Sequence, residues 1–464
     1  MVEKRKTICL FCSLGCGVAF RTSDGQVTAI DYDKENPINL GSLCPRGYYN
    51  LELINHPQRL TQPQIGEKKV SWDEALSFAR NELKKFDPSS IGISVSSIAS
   101  NEDAYAAGLM AKALGIKNIM TSGDPAGLEA YRGNKWAVEG ANQEKAERIG
   151  ESEVLMIIGD ILTRSPVLSK RINQVKYGKR GNQVIVIDPN VTRTSWFATT
   201  HLKNRPGTEA VLMAAILKVL AEENKRDNIE IDLQEASRTV GIPADAIINA
   251  AKVFDAAKAG TIIFAPGNDI QRNDLVQYFI RVASSFSTNK KHITFHGFGN
   301  TLGVNTVIDA MINDREVPAK DLKALISLGD DADTHGTEFT VKACCFAPDT
   351  AREGTVLLPL ASQMEEKGSV ILAGGRIESF EPLVRKVGGR SVLEITALLV
   401  DARTGAGEML AKGPKEEKVD LKQKIAEAQD IKAREAVLSG NITHFGDNSL
   451  VKRFFWYRVN NKNG

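Results

Sequence analysis

Cys9-Leu-Phe-Cys12-Ser-Leu-Gly-Cys16 and, after a gap of 27 residues, Cys44-Pro-Arg-Gly47 decide how the beginning of this chain folds. The spacing is C-x2-C-x3-C-x27-C. Thiolates two and three residues apart converge from one tight loop on several corners of a cuboidal cluster, and the fourth corner needs the chain to return. Gly15 and Gly17 flank Cys16 and give such a loop its backbone freedom. Between the third and fourth cysteines lie Val18-Ala-Phe-Arg-Thr22, Asp24-Gly25 and Val27-Thr-Ala-Ile-Asp31, a β-hairpin signal with its turn at Asp-Gly. A hairpin there brings Cys44 back beside the first three cysteines. The pattern reads as one [4Fe–4S] cluster on Cys9, Cys12, Cys16 and Cys44. The competitors are zinc and a purely structural role. Four-cysteine zinc sites pair their ligands as two short knuckles, and the second pair is missing here.

Outward from that motif, 464 residues are too many for one ordinary core, so about two to four domains are expected. A net charge of +2 gives no support for nucleic-acid binding. No stretch approaches the roughly 18 uninterrupted apolar residues of a membrane span. The N-terminus runs Met-Val-Glu-Lys-Arg-Lys and reaches Cys9 with no apolar signal region between, so a cytoplasmic location is expected, with export through a partner's signal as the alternative. Four of the six cysteines fall in the first 44 residues, which points to metal ligation in a reducing compartment rather than to a disulfide scaffold. The other two, Cys344-Cys345, sit in an apolar context and read as structural.

Farther along, short β-branched runs at 154–158, 184–187, 260–265 and 324–328 end at glycine or aspartate turns, and helical patterns such as Ala210–Leu220 lie between them. Strand–turn–helix alternation implies α/β lobes built on parallel sheets, with ligand loops at the strand C-terminal ends. Glycine turns of this kind also serve plain sheet-to-helix geometry.

Several stretches, in order, carry a resemblance. Cys44-Pro-Arg-Gly47, His56-Pro-Gln-Arg-Leu60 and Val70-Ser-Trp-Asp-Glu-Ala-Leu76 come first. Ile158-Gly-Asp-Ile-Leu-Thr-Arg-Ser-Pro-Val167, Val184-Ile-Val-Ile-Asp-Pro-Asn-Val-Thr-Arg-Thr194 and Arg205-Pro-Gly-Thr208 follow, then Thr355-Val-Leu-Leu-Pro359 and Glu365-Glu-Lys-Gly368. From about residue 7 to about residue 400 the chain resembles the molybdopterin oxidoreductase family, which includes formate dehydrogenase catalytic subunits, nitrate reductases and the large iron–sulfur subunit of respiratory complex I. The resemblance implies a small N-terminal [4Fe–4S] β-hairpin domain over 1–60 and two interleaved α/β lobes over 61–400. Residues 401–464 read as a helical and aromatic extension for subunit docking. In that extension Leu421, Ile425, Ala428 and Ile431 share a helix face, and Phe454-Phe-Trp-Tyr457 forms an apolar plug. If a pterin pocket is occupied, the resemblance assigns Arg46, Gly159, Asp160, Asp188 and Gly329 to it.

The chain also departs from the family. The family's metal-ligand loop corresponds to Asn118-Ile-Met-Thr-Ser-Gly-Asp-Pro-Ala-Gly127, which has no cysteine. Ser122 or Asp124 could supply an oxygen ligand there, and both also suit a plain Ser-Gly-Asp-Pro turn. Residues 401–464 are too few for the family's closing domain. Family Asn-Pro becomes Asp160-Ile161, and Gly329-Asp-Asp-Ala replaces Gly-x-Asn-Pro, placing carboxylates where a pyrophosphate would lie. Arg46 is a charge beside the cluster or a surface arginine. His296 and His335 are proton relays or structural histidines. Glu365-Glu-Lys-Gly368 reads as a charged turn.

The expectation is an iron–sulfur electron-transfer subunit of a multi-subunit oxidoreductase that lacks molybdenum or tungsten, with flavin or iron–sulfur subunits as partners. The alternatives are a catalytic Mo- or W-bis-pterin subunit whose closing domain is a separate chain, and a scaffold with a non-cycling cluster.

Overall fold

The computed structural model describes residues 3–400 apart from 25, 137, 139, 227–228, 313–321, 330–335 and 349–353. The acidic stretch after Gly329, His335 and the whole 401–464 extension lie outside the described residues.

The first three strands, β1 (Glu3–Ile8), β2 (Gly17–Ser23) and β3 (Gln26–Tyr32), form an antiparallel sheet in that order. The hairpin expected at Asp24-Gly25 joins β2 to β3, and Asp24 adopts a left-handed φ of 53° at the turn. The cluster loop is the β1–β2 connection, where Ile8 faces Gly17 across the ladder and the chain between them carries the first three cysteines.

The described chain divides into two compact units. The first comprises 3–128, 164–168 and 295–400, and the second 129–163 and 169–294. The first unit holds the N-terminal sheet together with a seven-stranded one. The latter begins with the short β4 (Gln64–Ile65) and β5 (Lys68–Lys69), then β6 (Ile91–Ser96) and β7 (Asn118–Ser122).

The second unit is built on β8 (Val154–Ile158), β9 (Gln183–Ile187), β10 (Thr200–Leu202), β11 (Gly260–Phe264) and β12 (Lys290–Thr294). They form one all-parallel sheet, β10-β9-β8-β11-β12. Every residue of β8 and β11 is buried, as a parallel sheet covered on both faces requires, and this is why those strands read as unbroken apolar runs. Helix Glu209–Glu223 is buried nearly all round, so its sequence is apolar all round.

The chain then returns to the first unit with β13 (Ala324–Leu328), β14 (Phe339–Cys344), β15 (Val356–Pro359), and the antiparallel pair β16 (Gly368–Ile371) and β17 (Ile377–Phe380). The seven-stranded order is β5-β4-β15-β14-β13-β6-β7, parallel from β15 to β7. Capping boxes at Ser71/Glu74, Ser100/Asp103 and Ser391/Glu394 start the helices that cover it. Reciprocal side-chain and backbone bonds there satisfy donors that a helix leaves orphaned.

The Glu365 turn is charged, as expected, and one of its charges is buried. The Glu365 carboxylate is fully buried against Arg59 at 2.6 Å. A charge removed from water needs a partner, and the sequence had placed that partner in a motif 306 residues earlier.

Candidate functional site

Cys9, Cys12, Cys16 and Cys44 line one cavity of the first unit together with Ser165 and Val167. The first three are buried, whereas Cys44 is half-buried and N-caps the short helix Pro45–Tyr48. The loop closes on itself through Cys9 N–H to the Cys16 carbonyl at 2.8 Å and Gly15 N–H to the Cys12 carbonyl at 3.3 Å. Gly15 takes φ +63°, and a Cβ there would lie 2.3 Å from Leu372 Cδ1. The turn is therefore open to glycine on both conformational and steric grounds. Cys9, Cys12, Cys16 and Cys44 are free thiols. Among the described residues no group of three or more His, Cys, Asp or Glu side chains is arranged to hold a single metal ion. Four thiols and no carboxylate or imidazole line this cavity among the described residues, which suits an iron–sulfur cuboid.

Burial dominates the chemistry of these sulfurs. It pushes the Cys9 thiol up to about 12, opposed by the Phe11 backbone and the Asn50 amide. It also raises Cys12 and Cys16. Bare thiolates are disfavoured in such a place, and a positively charged metal core is what would make them stable ligands. Donors already face the sulfurs. Asn50 Nδ2 lies 3.7 Å from Cys9 Sγ, and Ser165 Oγ lies 3.4 Å from Cys12 Sγ. Arg46 donates to the Arg164 carbonyl and its charge acts on Cys12, so it is a guanidinium beside the cluster loop rather than a free surface arginine. Arg376 donates to the carbonyls of Leu14 and Gly15 at 2.8 and 3.1 Å. Asn50, Ser165 and Arg376 were not singled out from sequence, since nothing local to them signals a metal site.

The stretch expected as a loop over 118–127 is strand β7, a short turn and the start of the helix Pro125–Asn134, and Asp124 in that turn has a defined job. Asp124 accepts from Gly297 N–H at 2.9 Å, Thr301 Oγ1 at 2.8 Å and Gly127 N–H at 3.0 Å, so both carboxylate oxygens are engaged. The neighbouring 296–300 loop backs the cluster loop. The His296 carbonyl accepts from Ser13 Oγ at 3.1 Å, and Gly299 N–H donates to the Leu10 carbonyl at 3.0 Å. The His296 ring is buried, and burial lowers its pKa, with Asp124 opposing and Arg164 reinforcing.

A separate cavity of about 200 Å³ in the first unit is lined by Phe11, Ser96, Ser100, Gly329, Cys345 and Ser362, among others. Gly329 thus sits on a cavity wall. Gly159, Asp160 and Asp188 belong to the second unit. Gly159 has φ +83°, and a Cβ there would meet the Ala265 carbonyl at 2.6 Å. Asp160 accepts from Thr194 Oγ1 and Thr163 Oγ1, each at 2.5 Å. The Asp188 carboxyl is pushed up to about 6 by burial, with Asp269 and Asp160 adding to the rise. The predicted residues therefore fall into three groups, with Gly329 apart on the separate cavity. The four cysteines and Arg46 come together, while Gly159, Asp160 and Asp188 gather at the strand ends of the second unit's sheet.

Residues 59–397 match the family described as Molybdopterin oxidoreductase, and residues 2–56 match its Fe4S4 domain. The F420-dependent formate dehydrogenase 1 subunit alpha of Methanococcus maripaludis is 29% identical over 290 residues, 56% of this chain and 42% of that one. The F420-dependent formate dehydrogenase subunit alpha of Methanocaldococcus jannaschii is 31% identical over the same shares of the two chains. A nitrate reductase of Symbiobacterium thermophilum is 30% identical over 48% of this chain and 31% of its own length. The matched stretches therefore span less than half of these relatives. Among solved structures, acetylene hydratase from Pelobacter acetylenicus shares the fold, with a TM-score of 0.64 at 17% identity over 87% of this chain and 70% of that one. Among the described residues no helix is long and apolar enough to cross a membrane.

Proposed function

The chain belongs to the molybdopterin oxidoreductase family, and from that membership we propose that it is an iron–sulfur electron-transfer subunit of a larger oxidoreductase assembly. Cys9, Cys12, Cys16 and Cys44 hold a [4Fe–4S] cluster. The observation that carries this reading is the convergence of the four thiols on one cavity, with hydrogen-bond donors on Cys9 and Cys12. Bound there, the cluster supplies one-electron exchange. The protein's own groups do the rest. Leu14 and Val167 keep water from the sulfurs. Asn50 and Ser165 donate to sulfur and so favour the more negative, reduced state. Cys44, the half-buried ligand, marks the edge nearest solvent, where a partner's electron enters or leaves.

The relay reading, without molybdenum or tungsten on this chain, is supported by the engagement of Asp124 in backbone and hydroxyl bonds. It is also supported by the carboxylate of Asp160 where the family resemblance has asparagine. A diphosphate near Asp160 and Asp188 would meet like charge. A second reading, a catalytic pterin subunit, is favoured by the 200 Å³ cavity at Ser96 and Gly329 and by the names of the similar formate dehydrogenases. Metal analysis of the anaerobically purified native assembly separates them. Four irons per chain with neither Mo nor W on this subunit is the expected result. Stoichiometric Mo or W bound to this chain would overturn the relay reading in favour of the second.

A further inference from the structure

Four contacts lay the segment from Gln363 to Phe380 over the cluster loop. Gln363 Nε2 donates to the Ile8 carbonyl at 2.9 Å, and Ala373 N–H donates to the Ser13 carbonyl at 2.9 Å. Leu372, fully buried, packs in one apolar cluster with Ile8 and Leu10. Arg376 then grips the turn itself, through the carbonyls of Leu14 and Gly15. These carbonyls immediately precede Cys16, so the guanidinium lies beside the cluster loop. The Arg376 Nε–H is buried and has no acceptor among the described residues, so the guanidinium keeps an unspent donor at the cluster loop. Its counter-ion is Glu378 Oε1, at 2.5 Å and 40% exposed on the solvent side of the pair.

We propose that Arg376 is a positioning residue that raises the reduction potential of the N-terminal cluster, and that Glu378 restrains it. The inference rests on the cluster reading given above. Reduction adds one electron, taken from an external reductant, and breaks no bond. It makes the cluster one charge more negative, so a fixed positive charge alongside stabilises the reduced form and a nearby carboxylate offsets that effect. Partial burial keeps solvent from screening the arginine fully.

The test uses the full chain, purified anaerobically, with dithionite titration in the presence of mediators followed by EPR and with iron counted per chain. Arg376→Gln is expected to make reduction about tenfold less favourable, ~59 mV lower for one electron. Glu378→Gln is expected to move the potential the other way, and Arg376→Lys to fall between wild type and Arg376→Gln. A purely structural role for Arg376 would change iron content without this opposed pair of shifts. Glu378→Gln leaves the grip on the loop intact, so it carries the test even if Arg376→Gln fails to load iron. Potentials unmoved in loaded variants, or moved in the same direction by Arg376→Gln and Glu378→Gln, would overturn the proposal. A wild-type chain with no cluster signal would instead sink the cluster reading on which it stands.

Discussion

Arg59 Nη2 meets Glu365 Oε2 at 2.6 Å, with the two side chains 4% and 0% exposed. The same carboxylate accepts from Ser362 N–H at 2.6 Å and Val387 N–H at 2.7 Å. The pair therefore ties the segment that follows the cluster domain to the turn that precedes β16. Removing one partner strands a charge out of water, which costs about 3–5 kcal/mol, whereas replacing both with apolar groups is often near neutral. Arg59→Met alone and Glu365→Leu alone are each expected to destabilise the first unit strongly, and the double variant less than the worse single. Hydrogen exchange on the first unit measures this, and additive losses would refute it. Burial by itself would push the Glu365 carboxyl up, but Arg59 and the two backbone donors outweigh it and hold it below the ordinary carboxylate range. The sign follows. A depressed folded-state pKa gives stability that is present above the unfolded pKa and lost as pH falls through the folded one.

Gly15 makes the cluster loop sensitive to a single methyl group. At φ +63° any L-side chain is strained by about 1–2 kcal/mol, and a Cβ would also press on Leu372 at 2.3 Å and Arg376 at 2.8 Å. Gly15→Ala is expected to lower the iron and acid-labile sulfide recovered per chain while leaving the second unit's hydrogen exchange unchanged. Full iron loading in that variant would show that the loop has more room than its contacts indicate.

Asp124 is expected to behave as a structural tie. Asp124→Ala deprives three donors of their acceptor, two of them backbone N–H groups, at about 1–3 kcal/mol for each buried group left unsatisfied. The folded variant should load iron as wild type does and melt several degrees lower. Unchanged stability together with loss of a bound Mo or W ion would make Asp124 a metal ligand instead.

Which features were legible in the sequence depends on how local their causes are. The cluster loop was legible because three ligands and their glycine lie within eight residues, and the hairpin because Asp24-Gly25 marks its turn. Strands β8, β9, β11 and β13 were legible because burial on both faces leaves runs that are almost wholly apolar. The surroundings of the cluster were not. Asn50, Ser165 and Arg376 reach it from 41, 153 and 361 residues away, by tertiary packing that no local pattern records. The stretch Ile158–Val167 read as one cofactor-contacting segment, yet Asp160 hydrogen-bonds within the second unit while Ser165 and Val167 line the cysteine cavity of the first. The burial of Glu365 was not legible because its partner is a distant arginine.

Asp188 offers a pH test of the second unit. Its side chain is buried and its carboxyl is raised from 3.8 to about 6, first by burial and then by Asp269 and Asp160, against one stabilising bond from Asn190 N–H at 2.8 Å. Below the unfolded pKa, both folded and unfolded chains hold the proton and there is no penalty. Between that value and about 6 the folded chain keeps a proton that the unfolded chain has lost, so stability falls as pH rises. Above about 6 both states are ionised and the full penalty is present, on the order of 3 kcal/mol at ~1.4 kcal/mol per pH unit. Asp188→Asn keeps the oxygen that accepts from Asn190 and removes the charge. It should stabilise the second unit at pH 7 and have little effect at pH 3.5, measured by urea unfolding at the two pH values. An equal effect at both would mean that Asp188 carries no such penalty. A destabilising carboxylate at a parallel sheet's strand ends, if retained, points to a requirement of function rather than of folding, because folding alone would be better served by the amide.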